Sequence, residues 1–141
     1  MSVRSFFDTN VLVYADDAGQ PEKQTIAIAL YEEHRRDRTG VVSLQVLQEY
    51  FVTATRKLGL AAAAARSKVE LIAEFDVVIP DVDDILAAID LHRLHGFSFW
   101  DALVVRAAKR SGSRVLLSED LQHLREVDGV KIVDPFRSRE V

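Results

Sequence analysis

The sequence predicts an α/β fold, an α/β/α sandwich around a central, mostly parallel sheet. Three observations lead there. Short apolar runs alternate along the chain with longer segments whose apolar residues recur at helical spacing. The short runs are continuous rather than alternating, as strands covered on both faces are. No linker, repeat or break in composition divides the 141 residues, so one domain, 1–141, with its own core is expected.

The elements follow in order. Val3 to Phe7 reads as a buried strand with Asp8 at its carboxyl end. Pro21 opens a helix running to Asp37, with Ile26, Ala27 and Leu30 on its apolar side, and Gly40 stops it. "GVVS" is a second strand. "LQVLQEYFVTATRKL" is a helix striped by Leu47, Tyr50, Phe51, Ala54 and Leu58 and closed by Gly59. The alanine-rich segment Leu60 to Phe75 favours helix. "DVVIP" supplies a third strand. Asp81, Asp83 and Asp84 then open a helix with Ile85, Ala88, Ile89 and His92 on one side; acids in a first turn suit the helix dipole and need no further role. Ser98 starts a last helix towards Gly112, and "RVLLS" and "VKIVDP" are the fourth and fifth strands.

Composition narrows the chemistry. There is no cysteine, which excludes thiol catalysis and thiolate metal sites and removes any need for an oxidising compartment. No uncharged apolar run approaches the ~18 residues of a membrane span, and the N-terminus does not read as a signal peptide, so a cytoplasmic location and no membrane partner are expected. The 18 basic and 22 acidic residues give a net charge of −4, which by itself argues against a polyanionic partner. There is no G-x-S-x-G, G-x-x-x-x-G-K-[ST] or H-E-x-x-H motif. His92 and His95 share a helix face but have no evident third ligand, so a metal site there is disfavoured.

Several acids stand where structure alone does not ask for them. Asp101 falls on the helix face shared by Val104, Val105 and Ala108, where a carboxylate must be paired, hydrogen-bonded or metal-bound, unless Ser98 and Asp101 form a capping box. Asp8 is either the N-cap of a helix beginning near Asn10 or a functional acid. Asp120 serves a short turn capped by Ser118 or does chemistry, and Glu119 beside it competes for that role. Glu49 projects away from the apolar stripe of its helix and reads as solvated. In a parallel sheet, acids after the first and fourth strands lie at the ligand-binding edge. Carboxylates gathered there repel one another, a cost divalent cations relieve, and oxygen ligands without cysteine suit Mg²⁺ or Mn²⁺.

"FFDTNVLVYA", "SLQVLQEY", "SFWDALVVRAA" and "LLSEDLQ", with Asp8, Glu49, Asp101 and Asp120 at separations of 41, 52 and 19 residues, resemble the PIN-domain ribonucleases, more narrowly the VapC toxins of VapBC type II toxin–antitoxin systems. The resemblance runs from Phe6 to Pro135. It implies that Asp8, Glu49, Asp101 and Asp120 are catalytic and hold one or two Mg²⁺ or Mn²⁺ ions, with Asn10 and Ser118 supporting them. Glu49 is assigned by the resemblance alone. The activity implied is endonucleolytic hydrolysis of RNA, with a VapB-like antitoxin and a second copy of the chain, in a homodimer, as partners. Setting the four acids aside leaves a balanced charge, and basic residues near the site, Arg106 first among them, can then meet phosphate.

Other readings fit less well. A haloacid-dehalogenase-type phosphatase needs a second acid where Asn10 stands; a receiver-type domain needs paired acids after the first strand and a later lysine. A noncatalytic PIN-fold module that binds metal, RNA or a partner remains the alternative. Phe97, Phe99 and Trp100 form an aromatic cluster whose first expectation is core packing and whose second is stacking on bases.

Overall fold

Ser5–Phe7 (β1), Gly40–Ser43 (β2), Asp76–Val78 (β3), Val115–Leu117 (β4), Glu126–Val127 (β5) and Val130–Val133 (β6) form one sheet, in a computed structural model that describes residues 2–137. Its strand order is β3-β2-β1-β4-β6-β5. Every pairing is parallel except the β5–β6 hairpin. Thr9–Tyr14 (α1), Pro21–Asp37 (α2), Leu44–Arg56 (α3), Ala62–Ile72 (α4), Val82–His95 (α5) and Phe99–Arg110 (α6) connect the strands. The expected sandwich with a mostly parallel sheet is what the chain adopts.

The chain steps from β1 outward to β3 and then returns past β1 to β4, so the winding reverses between two adjacent strands. Phe7 and Leu117 are register partners across that reversal. In such a sheet, the crevice beyond the carboxyl ends of the two strands is left open by the diverging connections. Phe6, Phe7, Val41, Val42, Leu116 and Ile132 are fully buried in the sheet. Side chains alternate between its faces: Phe7 points to α2, with its ring 5.2 Å from His34 and 5.3 Å from Phe75.

Several local expectations change for identifiable reasons. Gly40 does not stop α2; Arg38 does, in a left-handed conformation (φ 57°). Gly40 instead lies beneath Phe75, where a Cβ would stand 2.5 Å from the ring. The buried side of α2 is Ala27 and His34, while Ile26 is exposed. On α3 the buried stripe is Val46, Tyr50 and Ala54, and Phe51 faces outward. That shift puts Glu49 on the flank of the buried face rather than opposite it. On α5 the buried residues are Asp84, Ala88 and Leu91, leaving Ile85, Ile89 and His92 outside. Asp81 and Asp84 close a capping box at the start of α5, so their structural role is as expected. The hairpin of β5 and β6 turns at Asp128 and Gly129, both with positive φ, as a two-residue primed turn requires.

Candidate active site

The crevice at the reversal is a cavity of about 590 Å³ with Asp8, Glu49, Asp101, Glu119 and Asp120 in its walls. Four elements of the fold supply the four acids singled out from sequence. Asp8 follows β1, Glu49 stands on the second turn of α3, Asp101 on the first turn of α6, and Asp120 just past β4.

Asp8 is the most buried of them, 7% exposed. It caps α1, accepting from the Thr9 N–H at 2.8 Å through Oδ1. Oδ2 accepts from the Ser118 hydroxyl at 2.8 Å and from Asn10 Nδ2 at 3.3 Å. Capping and site membership thus coexist in one carboxylate, each oxygen serving one task. Burial, opposed by the Ser118 and Thr9 hydrogen bonds and reinforced by the charges of Glu49 and Asp101, pushes its pKa up from 3.8 to about 6.

Asn10 ties the two strand ends together. Its Nδ2 also donates to Asp120 Oδ2 at 3.1 Å, and its Oδ1 accepts from the Glu119 N–H at 3.0 Å. Ser118, fully buried, accepts in turn from the Asp120 N–H at 3.2 Å. The two supporting residues therefore sit between Asp8 and Asp120 and fix their relative position.

Glu49 is held by Thr9 Oγ1 at 2.7 Å and by Gln45 Nε2 at 3.2 Å, so it faces Asp8 rather than solvent. Asp101 is half-buried, and Ser98 Oγ accepts from its N–H at 3.1 Å. No reciprocal bond from its carboxylate to the Ser98 backbone completes a capping box. Burial raises its pKa; the Ser98 hydroxyl opposes this, and the charges of Asp120 and Glu49 add to it.

Glu119 goes elsewhere. It accepts from the Tyr14 hydroxyl at 2.7 Å and pairs with Lys23 at 2.5 Å. Burial works to raise its pKa, but Lys23 and Tyr14 prevail and hold it low. It is a wall residue with its own counter-ion, and Asp120 is the acid joined to the Asn10 network. Arg106 is also committed: its Nε bonds Asp84 Oδ1 at 2.9 Å, and Arg110 reaches Asp84 Oδ2 at 2.5 Å. An ion pair with a buried carboxylate replaces the phosphate contact expected of Arg106, since Asp84 would otherwise be an unpaired buried charge. His92 bonds the Phe97 carbonyl through Nδ1 at 2.5 Å, a helix-end contact rather than a metal site.

Sequence reasoning passed over Thr9, Tyr14, Lys23, Gln45 and Lys57. Gln45 and Lys57 had a readable signal, four residues before and eight after Glu49 on one helix face. The others are brought in by tertiary contacts.

The donor set fits a hard divalent cation: oxygens only, from carboxylates whose mutual repulsion the cation would relieve. Among the described residues, no three Asp, Glu or His side chains already surround one point. Their oxygens rest on Thr9, Asn10, Gln45 and Ser118 instead.

Residues 5–130 match the family model of the PIN domain. The chain belongs to the PIN-domain family. The solved structures similar to it include two toxin structures. One is Mycobacterium tuberculosis VapC20, a sarcin-ricin loop cleaving toxin, at 22% identity and a TM-score of 0.68, covering 82% of this chain and 89% of that one. The other is a toxin–antitoxin complex from Klebsiella pneumoniae, at 18% identity and a TM-score of 0.68, covering 93% and 97%. At such identities the likeness is one of fold. No curated protein matches the sequence.

Proposed function

We propose that this PIN domain, 1–141, is a divalent-metal-dependent endoribonuclease and the toxin of a toxin–antitoxin pair. The observation that carries the reading is the gathering of Asp8, Glu49, Asp101 and Asp120 in one cavity, with Asn10 and Ser118 joining Asp8 to Asp120. These four acids would hold one or two Mg²⁺ or Mn²⁺ ions. Such ions lower the pKa of a water and neutralise charge on the phosphate, the chemistry that hydrolysis of a phosphodiester needs.

The chain's own residues have distinct tasks. Ser118 and the Thr9 N–H keep Asp8 turned into the cavity, and Asn10 sets Asp120 beside it. Thr9 and Gln45 stop Glu49 from swinging to solvent. Without cations the five carboxylates in the walls repel an RNA phosphate; with them, the same carboxylates fix where positive charge stands.

A VapB-like antitoxin, a homodimer and a cytoplasmic setting belong to the same reading. The resemblance to VapC toxins supports all three, and the toxin–antitoxin complex among the similar folds supports the antitoxin alone. No helix among the described residues is long and apolar enough to cross a membrane.

The test is cleavage of labelled single-stranded and structured RNAs by the purified chain in Mg²⁺, in Mn²⁺ and in EDTA, beside Asp101→Asn. Metal-dependent cutting that the folded variant lacks is the expected result. Metal binding without cutting of any RNA would replace the nuclease with the noncatalytic module.

A further inference from the structure

One side of the acidic cavity adjoins a second, smaller one. This slot, about 330 Å³, is lined mainly by apolar groups, including Phe99, Trp100 and Leu103 of α6, Ile85 of α5, and Pro80. Gln45 and Gln48 belong to the walls of both cavities. Gln45 joins them directly, since its Nε2 donates to Glu49 in the site and to the Trp100 carbonyl at 3.3 Å.

Trp100 is 62% exposed, its ring set edge-on against Phe99 at 5.3 Å. Phe97, from the same aromatic cluster, is buried in the core. The sandwich has therefore used one of these aromatics fully and left the largest at the surface, where an indole face in water is unfavourable.

A cation stands on the opposite flank. Gln45, Glu49, Thr53 and Lys57 follow one another at four-residue intervals and all line the acidic cavity. The twelve steps from Gln45 to Lys57 span about 18 Å along the helix. Lys57 is the only basic residue in those walls among the described residues. Lys23, Arg106 and Arg110 are already paired with Glu119 or Asp84.

We propose that the slot beside Trp100 is a nucleobase subsite, so that RNA crosses the acidic site as an unpaired strand laid along α3 from Trp100 to Lys57. An exposed aromatic and a free cation flanking one groove are how single strands are held, by stacking and by phosphate charge. The Gln48 amide at the slot's mouth offers both donor and acceptor to a base edge, and Gln45, its N–H groups engaged by Glu49 and Trp100, offers its carbonyl oxygen. A base still paired in a duplex cannot enter. This inference rests on the nuclease reading.

Trp100 is the chain's one tryptophan, so its emission reports on the slot alone. Asp101→Asn in Mg²⁺ serves as the non-cutting background, titrated with a short single-stranded RNA and with the same sequence as a duplex. Saturable quenching by the single strand, and binding at least ten-fold weaker to the duplex, is the expected result. Adding Trp100→Ala weakens single-strand binding, read by anisotropy, by roughly ten-fold or more, and Trp100→Phe recovers part of it. Lys57→Ala lowers the slope of log affinity against log salt by about 0.7, one phosphate contact on a single strand. Saturation without any change in emission, or equal affinity for the duplex, overturns the subsite. So does a Trp100→Ala variant that keeps its RNA affinity but loses self-association in sedimentation, which would make the slot a contact between copies. Wild-type cutting with a silent Trp100 removes the subsite and leaves the nuclease. Quenching by RNA that the wild type never cuts does the reverse.

Discussion

Replacing Asp8 by Asn should stabilise the metal-free protein. The Asp8 carboxyl has a pKa of about 6 when folded, against 3.8 for an ordinary aspartate. Its folded value is raised, so the folded state binds the extra proton. The associated stability is complete below pH 3.8 and is lost as pH rises through about 6. A difference of about two pKa units, at about 1.4 kcal/mol each, means that ionised Asp8 costs the fold about 3 kcal/mol above pH 7. The bonds from Ser118 and the Thr9 N–H to the ionised carboxylate are already contained in that difference, so a neutral asparagine regains the whole of it. The gain is about 3 kcal/mol, or about 6–12 °C in Tm for a chain of this size. Thermal unfolding followed by circular dichroism in EDTA reads it directly. The gap between Asp8→Asn and wild type should be widest at pH 8, narrow through pH 6 and vanish near pH 4. Added Mn²⁺ should raise the Tm of the wild type more than that of the variant, reversing the order at pH 8. Equal Tm values at pH 8 in EDTA, or a gap that does not change with pH, would refute the reasoning.

Other substitutions separate the support of the site from the support of the fold. Ser118→Ala removes the 2.8 Å hydrogen bond to Asp8 Oδ2, so Mn²⁺ affinity measured by calorimetry should fall about 10- to 100-fold while the fold persists. Asp84→Ala removes the buried partner of Arg106 and Arg110 and one of the two bonds of the α5 capping box, leaving the Asp81 cap in place; urea unfolding should show a loss of about 2–3 kcal/mol. Gly40→Ala drives a methyl into Phe75 and should cost about 1–3 kcal/mol, with a smaller cost in a Phe75→Leu background.

How much of this was readable in the sequence varies with the range of the contact. The parallel strands and their helices were legible because each carries its own period, and Asp81 with Asp84 because a capping box is local. Asp101 was visible as an acid on an apolar face. Glu49 was not, because a helical wheel centred on Leu47 and Phe51 misplaces the buried stripe by about a residue, and only the packed sheet reveals Val46 as its true edge. The Asp128–Gly129 turn was a local signal, aspartate then glycine between valines, that went unread. The commitment of Arg106 to Asp84 could not be read at all, since the two are 22 residues apart on different helices and either could have met solvent.

The pairing of β1 with β4 has a consequence in time as well as in space. Asp8 and Ser118 are 110 residues apart, and no local folding unit contains both. A ribosome delivers Asp8 112 positions ahead of Asp120, with Asp101 between them after a long stretch of helix and strand. While the nascent chain stops short of β4, β1 has no neighbour on that side, and Asp8 has neither Ser118 to hold it nor Asp120 to complete the cavity. The half-made site is therefore incomplete, and its acids come together only when β4 slots in against β1. A nuclease of the kind proposed would thus be kept from the RNA around it until the order of its own strands had completed it.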